Sequence, residues 1–259
     1  MAPLGMNRSE KAIILGSGYT GKFLKPQLEA AGFVVKESNR SGSKDFDFSF
    51  EDPTSWGNIP KDTSISFALF AAESPEAAQK FASKILPQFK KFLIVSTARL
   101  FKTTHADEIV TESSALDTNS LRFQSEEILR NSGAIVIHAA GIYGPGRSPV
   151  SWLKRGLIKD TNKILNLIHV EDLCGFLVAA ALKALPGSRF IASDSKSYRW
   201  EEIMTHLKAL GIELPSIPSS TEKPTLSKQI RSQRSREQLG VKLSYPDLFT
   251  ALKDSSFFA

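Results

Sequence analysis

The sequence predicts an α/β fold built on a doubly wound parallel sheet. Two observations carry this prediction: a glycine-rich turn follows the first apolar run, and apolar runs then alternate with helical patterns as far as residue 147. Strands that alternate with helices are typical of a parallel sheet covered on both faces. The chain has 259 residues, of which 41% are hydrophobic and 23% charged, so its composition is that of a globular protein with a full core.

The glycine-rich turn lies between the apolar run 13–15 and a helical pattern, and it reads Gly16-Ser17-Gly18-Tyr19-Thr20-Gly21. Gly16 permits a sharp bend, Gly18 leaves room for a pyrophosphate, and Gly21 lets the helix pack closely on the strand. Phosphates would bind at the helix N-terminus, where free N–H groups and the helix dipole favour negative charge. The turn therefore predicts a Rossmann-type dinucleotide site, with an empty structural turn of the same fold as the alternative.

The end of the second predicted strand bears on which dinucleotide would bind. This strand covers residues 32–38 and is followed by Asn39, Arg40 and Ser41. An acidic residue at this place accepts hydrogen bonds from a ribose 2′-hydroxyl, whereas arginine and small hydroxyl residues suit a 2′-phosphate. Arg40 and Ser41 therefore predict NADP rather than NAD. The alternative is that Arg40 is an exposed loop residue without a ligand.

Further elements follow in alternation. Strands are predicted at 46–50, 64–71, 92–97 and 134–138, and helices at 75–89 and 120–131. Three glycines and a proline between Gly141 and Arg147 indicate a shaped loop at the C-terminal edge of a strand, where open α/β sheets bind ligands. Beyond it we expect a helix to residue 184, a strand at 190–192, a helix at 200–210, a loop at 215–227 and a basic helix ending at Gly240.

Charge and cysteine content restrict the function. A net charge of +6 fits an exposed basic surface, an anionic nucleotide substrate or nucleic acid. Nucleic acid is the least favoured, since no helix-turn-helix or RNA-binding motif is present. The single cysteine, Cys174, excludes an internal disulfide and a multi-cysteine metal site, and no two histidines have metal-ligand spacing, so no metal is predicted.

The ends of the chain and its apolar runs bear on location. Residues 1–10 have no apolar core, so they are expected to form a flexible tail and not a secretory signal. No apolar run approaches the ~20 residues that span a bilayer. Together with the lone cysteine, which suits a reducing compartment, these features predict a cytoplasmic protein without a membrane partner.

Taken together, several segments resemble the extended and atypical short-chain dehydrogenase/reductases. More narrowly, the chain resembles the NAD(P)-dependent epimerase/dehydratase family, in its shorter branch similar to nucleoside-diphosphate-sugar epimerases. The resemblance covers nearly the whole chain, and its most specific part is the loop from Gly141 to Arg147. The resemblance also rests on Gly16 to Gly21, Ser96-Thr97, Ile168 to Leu173, Leu239-Gly240 and Tyr245-Pro246.

The resemblance implies one NAD(P)-binding Rossmann domain over residues 11–259, with a small substrate lobe formed largely from 141–165 and 211–259. It implies hydride transfer at the nicotinamide and a small-molecule substrate such as a nucleotide sugar. Thr97 matches the family's catalytic Ser/Thr, and Ser96 lies beside it. Gly144 and Pro145 are expected to border the nicotinamide together with Thr97. The oligomeric state is left open.

The chain departs from the family at the other two catalytic residues. The family pairs a tyrosine with a lysine four residues later, but residues 117–127 contain neither. Tyr143 is a candidate phenol near the nicotinamide, although packing within its loop would equally explain it. Glu126 or Glu127 could act as a base, but a carboxylate on this helix is more often an exposed cap or an ion-pair member. His169 is expected to tie down a strand-to-helix junction.

Two functional hypotheses follow from these departures. In the first, the protein is an NADP-dependent oxidoreductase or epimerase-like enzyme whose acid/base group is unconventional or is supplied by the substrate or by water. In the second, it is a non-catalytic NADP-binding sensor or assembly partner that keeps the nucleotide fold.

Overall fold

The computed structural model describes residues 10–40, 42–70, 72, 74–158, 161, 164–214 and 226–253. Its strands are β1 (Lys11–Leu15), β2 (Val34–Asn39), β3 (Phe46–Asp47), β4 (Ile65–Ala68), β5 (Lys91–Thr97), β6 (Glu108–Val110), β7 (Ile135–Ala139), β8 (Gly141–Tyr143), β9 (Leu167–His169), β10 (Arg189–Ala192) and β11 (Lys228–Ile230). Its α-helices are α1 (Tyr19–Ala30), α2 (Pro75–Lys84), α3 (Leu121–Asn131), α4 (Pro149–Lys154), α5 (Val170–Lys183), α6 (Trp200–Ala209), α7 (Gln233–Leu239) and α8 (Leu248–Ala251).

Seven of the strands form one parallel sheet, in the order β10-β7-β5-β4-β1-β2-β3. The chain runs outward from β1 through β2 to β3 and then crosses back to β4 on the other side of β1. This reversal of direction makes the carboxyl end of β1 the topological switch point, where open α/β sheets bind their ligands. The glycine turn directly follows β1, so it lies at the switch point.

Successive residues of β1 face opposite sides of the sheet, because side chains alternate along a strand. Ala12 and Ile14 belong to the core beneath α1 and α5, whereas Ile13 and Leu15 belong to the core beneath α2 and α3. All four are essentially inaccessible to solvent. The sheet is therefore covered by helices on both faces, which confirms the doubly wound α/β fold.

A third, separate core lies in the C-terminal half of the chain. It joins apolar residues of α4, α6 and α8 with the buried Tyr143 and Tyr198. Helix α6 falls outside the ranges 141–165 and 211–259 expected for the substrate lobe, and the bounds of that lobe stay a prediction. Asp172, in the first turn of α5, accepts the backbone N–H groups of Ser244 (2.7 Å) and Tyr245 (3.0 Å) and so ties the segment before α8 to the sheet-covering helix.

Two predicted elements differ from the structure. The strand expected at 46–50 pairs with β2 only over Phe46–Asp47. Phe48 and Phe50 beyond it are both buried among the aromatic rings beneath α2, as the alternation predicts, but they lie outside the paired strand. The basic helix before Gly240 is confined to α7, and Lys228 belongs to β11, which pairs with β6. The predicted tail at residues 1–9 lies outside the described residues. Over the described ranges, no helix is both long and apolar enough to cross a bilayer.

Candidate dinucleotide and substrate site

The glycine turn has the conformation that its glycines require. Gly16 has φ of +76°, and a Cβ atom there would overlap the ring of Phe70, which follows β4. A Cβ atom on Gly21 would likewise overlap the Ser17 side chain. Around Gly18, in contrast, a Cβ atom would meet no other atom within 4 Å. The turn therefore packs tightly against the protein at Gly16 and Gly21 and faces open space at Gly18, where a ligand can approach the backbone.

Helix α1 begins at Tyr19 and presents its N-terminus beside Gly18. No acidic residue lies in its first turn, so nothing there competes with an anion for the free N–H groups. The sequence placed Thr20 in the same phosphate-binding turn, and the structure has it half-buried in the first turn of the helix. The donor set and the open space over Gly18 fit the pyrophosphate of a dinucleotide.

The turn is fastened to the end of β2 through Glu37, a residue that sequence reasoning missed. Ser17 donates its backbone N–H to Ser38 O (2.7 Å) and its hydroxyl to the Glu37 carboxylate. That carboxylate also pairs with Lys25 (3.2 Å) and Lys44 (3.3 Å). Burial opposes ionisation, but these hydrogen bonds hold the pKa of Glu37 below its usual range. The only sequence signal for this role was a lone carboxylate in an otherwise half-buried strand.

Arg40 lies just beyond β2 and is exposed. The Asn39 side chain closes the adjoining loop, since its Nδ2 donates to Ser43 Oγ at 2.6 Å and its Oδ1 accepts the Ser43 N–H at 3.2 Å. Arg40 therefore lies in a loop whose two ends are joined by the Asn39–Ser43 hydrogen bonds, close to the glycine turn. Ser41, expected to assist it, lies outside the described residues.

The second predicted cofactor segment, the loop at 144–147, lies against the glycine turn. The Tyr19 hydroxyl donates to the carbonyl of Pro145 at 3.1 Å, and the Arg147 guanidinium lies 5.5 Å from the centre of the Tyr19 ring. A Cβ atom on Gly144 would stand 2.6 Å from the Tyr19 hydroxyl and 2.7 Å from Val170 Cγ1, so only glycine permits this approach. Two segments that are more than 120 residues apart in the sequence therefore form one surface.

A cavity of about 400 Å³ opens at the carboxyl ends of β5 and β7. Ser96 and Thr97, which the sequence analysis expects near the nicotinamide, line it, and the half-buried Thr97 hydroxyl accepts the Arg99 N–H at 3.2 Å. Among the described residues that line the cavity no carboxylate occurs, whereas four are cationic: Arg99, Arg122, Arg147 and Lys228. A cavity walled in this way attracts anions.

Tyr143 lies away from this cavity. It is fully buried in the third core, packed edge-on against His169 at 5.2 Å between ring centres, and burial raises the pKa of its phenol well above the usual value. A phenol so placed neither reaches a substrate in the cavity nor forms a phenolate readily. This placement speaks against the catalytic role considered for Tyr143 and favours the packing alternative.

The two glutamates of α3 have different environments. Glu127 is an ion-pair member, bound to Arg130 and Arg189, as expected. Glu126, in contrast, is 0% exposed, and its carboxylate accepts a hydrogen bond from Ser96 Oγ. The expectation of an exposed carboxylate is wrong for Glu126, because residue 126 is on the face of α3 that packs against the sheet beside Leu129. On the same face of the sheet it meets His138 of β7, whose Nε2 lies 3.5 Å from Glu126 Oε1.

His169 and Cys174 have the structural roles that the sequence suggested. His169 ends β9 and caps α5, where its Nδ1 accepts the Glu171 N–H at 3.3 Å, and its ring stacks on Tyr245. Cys174 is completely buried beneath α1.

Comparison with known proteins finds similarity to solved structures alone. No protein-family model matches the sequence, and no curated protein sequence matches it. Solved structures do. The dTDP-glucose 4,6-dehydratase of Bacillus anthracis in complex with NAD superimposes with a TM-score of 0.78 over 96% of this chain and 96% of that chain, at 14% identity. The UDP-glucose 4-epimerase of Thermotoga maritima with UDP-glucose gives 0.74 over 96% and 98%, at 16% identity.

The chain has the fold of these epimerases and dehydratases. A conserved protein of unknown function from Silicibacter pomeroyi shares this epimerase/dehydratase fold, with a TM-score of 0.73 and 21% identity over 94% of this chain and 97% of that chain. The superpositions extend over almost the full length of each neighbour, so the fold similarity includes the C-terminal part as well as the sheet.

Proposed function

We propose that this protein belongs to the NAD(P)-dependent epimerase/dehydratase family and is an NADP-dependent oxidoreductase that acts on an anionic nucleotide sugar. One observation carries the proposal: a cavity walled by four cations and lined by Thr97 opens at the carboxyl ends of β5 and β7, and one of those cations, Arg147, also lies over the Tyr19 ring of the glycine turn. Solved structures of this fold in complex with NAD or with UDP-glucose support a nicotinamide dinucleotide and a nucleotide sugar as the ligands.

The chain's own residues suggest a division of labour. The N–H groups at the start of α1 would bind the pyrophosphate over Gly18. A bound nicotinamide dinucleotide supplies the acceptor or donor of hydride. The Thr97 hydroxyl would orient the reacting oxygen of the substrate, and the cations of the cavity would bind its phosphates.

Two features favour NADP over NAD. Glu37, the buried carboxylate at the end of β2, is already bound by Ser17, Lys25 and Lys44, so it is not free to accept a ribose 2′-hydroxyl. Arg40, which follows β2, is exposed and able to pair with a 2′-phosphate.

Replacing Arg40 by alanine is therefore expected to weaken NADPH binding by about tenfold, the size of one lost charge-assisted contact, and to leave NADH binding nearly unchanged. Titration of the purified protein with both dinucleotides, followed by nicotinamide fluorescence, measures the two dissociation constants. The exposed Arg234 of α7 offers a matched control of equal charge, and its alanine variant should bind both dinucleotides as the wild type does. Equal weakening of NADPH and NADH by Arg40→Ala would overturn the assignment to NADP.

Two arginines that line the cavity without an ion-pair partner support the choice of an anionic substrate. Within the described part of the chain, neither Arg99 nor Arg122 has an ion-pair partner, although both line the cavity. Lys228 differs, because its Nζ donates to the carbonyls of Arg99 (3.2 Å) and Phe101. Arg99 and Arg122 are therefore the cations we assign to the substrate, whereas Lys228 holds the cavity wall.

Replacing Arg122 by alanine should weaken the binding of UDP-glucuronic acid and UDP-glucose by about tenfold, since a hydrogen bond to a charged group is typically worth ~1.5–3 kcal/mol. Isothermal titration calorimetry in the presence of NADP measures this directly. Dinucleotide affinity should not change, and Arg234→Ala again serves as the charge-matched control. Unaltered UDP-sugar affinity in Arg122→Ala would contradict the assignment of Arg122.

A non-catalytic NADP-binding sensor or assembly partner is the second candidate. It is favoured by the absence of tyrosine and lysine from residues 117–127, which cover the start of α3 beside the cavity. Tight NADPH binding, no hydride transfer with any UDP- or dTDP-sugar, and a reproducible protein partner in pull-downs would support this candidate over the enzyme.

A further inference from the structure

A buried polar chain leads inward from the wall of the cavity. Ser96 lines the cavity and is 3% exposed, and its hydroxyl donates to Glu126 Oε2. Glu126 lies behind it and is 0% exposed, as is His138. Ser96 and His138 are direct neighbours in the β5–β7 register, so their side chains point to the same face of the sheet, onto which α3 carries Glu126.

The tautomer of His138 follows from its surroundings. Its Nδ1 lies 3.2 Å from the carbonyl oxygen of Thr97, and a carbonyl only accepts, so Nδ1 carries the hydrogen. Nε2 of the neutral ring is then an acceptor that faces Glu126 Oε1 at 3.5 Å. Neither Nε2 nor Oε1 has a hydrogen-bond partner among the described residues. Two acceptors that face each other repel when Glu126 is ionised, whereas a proton on Oε1 can be donated to Nε2.

We propose that Ser96, Glu126 and His138 form a proton relay that replaces the missing tyrosine in the reaction proposed above, on which this inference rests. As a substrate alcohol is oxidised, its hydroxyl proton passes to Ser96 Oγ while the proton of Ser96 passes to Glu126. The carbon-bound hydrogen leaves with its electron pair to the oxidised nicotinamide dinucleotide. The products are a carbonyl, a reduced dinucleotide and a protonated Glu126; carbonyl reduction follows the reverse course. Ser96 is thus the catalytic residue, and Glu126 acts through it.

The electrostatics assign the proton to Glu126 and not to His138. Burial raises the pKa of Glu126 to about 7, against smaller opposing effects of the Ser96 hydrogen bond and of Arg122 and Arg189. Burial lowers the pKa of His138 to about 3, so its ring stays neutral. The other charged group facing the pair is Glu127, which favours protonation of both. A base whose pKa is near the working pH is the most effective.

Carbon-13 NMR of the whole protein labelled at the glutamate carboxyl carbons tests the relay without cofactor or substrate. We expect one resonance with a titration midpoint near pH 7, missing in Glu126→Gln. Ser96→Ala should move this midpoint upward, because the lost hydrogen bond stabilised the ionised carboxylate. Glu127→Gln is the matched control: the resonance should persist, with its midpoint moved somewhat downward because the Glu127 charge favours protonation of Glu126. A Glu126 titration midpoint near the ordinary ~4.3, or one that is the same in Ser96→Ala as in the wild type, would overturn the proposal.

Steady-state kinetics with NADP and UDP-glucose or UDP-glucuronic acid test the use of the relay. Glu126→Gln should lower kcat by at least about 100-fold with little change in KM, as expected for a lost acid/base group. In the wild type, kcat for alcohol oxidation should rise with pH through about 7, where Glu126 ionises, and the variant should lack this dependence. Glu127→Gln should keep the rise of kcat with pH, with its midpoint moved somewhat downward, and should reach the wild-type rate above that midpoint.

The outcomes separate the two proposals. An active wild type with an equally active Glu126→Gln overturns the relay alone. A wild type that reduces no NADP with any UDP- or dTDP-sugar overturns the proposed enzyme and the catalytic use of the relay together.

Discussion

Replacing Gly18 by alanine is expected to weaken dinucleotide binding by about 10- to 100-fold while the protein remains folded. The new methyl group would occupy the space that the pyrophosphate needs, and overpacking of this kind costs ~1–3 kcal/mol. The fold tolerates the change because a Cβ atom at Gly18 meets no atom within 4 Å. Titration with NADPH gives the affinity, and circular dichroism with thermal unfolding verifies the fold.

The choice of Gly18 separates binding from folding. Gly16 would not serve, since a Cβ atom there overlaps Phe70 and a loss of binding could then reflect a distorted turn. Gly57 is the matched control, because it also lacks neighbours within 4 Å and lies in the helical turn Pro53–Asn58, away from the cavity. Wild-type affinity in Gly18→Ala would mean that the turn is scaffold only.

The second large effect concerns stability. The free energy of unfolding of Glu126→Gln, taken relative to that of the wild type, should rise by up to about 3 kcal/mol as the pH increases from about 4 to about 8. The reason is that burial raises the pKa of Glu126 from 4.5 to about 7. Between these two values the unfolded chain has lost the proton that the folded protein still holds, so wild-type stability falls with rising pH. Glutamine has the shape of the protonated acid and no charge to bury.

Urea unfolding of both proteins at about pH 4, 6 and 8 measures this difference. Glu127→Gln gives an internal control of opposite sign. Hydrogen bonding to Arg130, opposed by burial, holds the pKa of Glu127 below its usual value, so its stabilisation is present at neutral pH and is lost as the pH falls. This variant should therefore be less stable than the wild type at pH 8. If the difference in free energy of unfolding between Glu126→Gln and the wild type does not grow with pH, the pKa of Glu126 is not raised by folding.

The centre of the sheet was predictable because β1, β5 and β7 contain runs of three or four consecutive apolar residues. The elements that sequence reasoning missed are short: strands β6, β8 and β11 have three residues each, and helices α4 and α8 have six and four. A three-residue strand owes its existence to a partner elsewhere in the chain and not to its own pattern. The strand at 46–50 was predicted too long for a related reason, since the alternation indicates that Phe48 and Phe50 share a buried face but not where pairing with β2 ends.

The site was predicted where chemistry resides in a contiguous motif. The glycine turn was recognised from its own residues, whereas the contact of Tyr19 with Pro145 required the folded chain. The buried Ser96–Glu126–His138 chain was out of reach for the same reason. Its members come from β5, α3 and β7, and only the register that sets Ser96 beside His138 brings them together. Glu126 differs from Glu127 solely in the face of α3 on which it lies.

The third core, built from α4, α6 and α8 apart from the two cores that flank the sheet, has a consequence for how this protein can change over generations. Because that cluster is filled by its own apolar residues, substitutions within it can reshape the neighbouring cavity without disturbing the packing beneath α1 and α5. Selection for a new ligand can therefore act on the C-terminal part while the glycine turn and its surroundings are inherited unchanged.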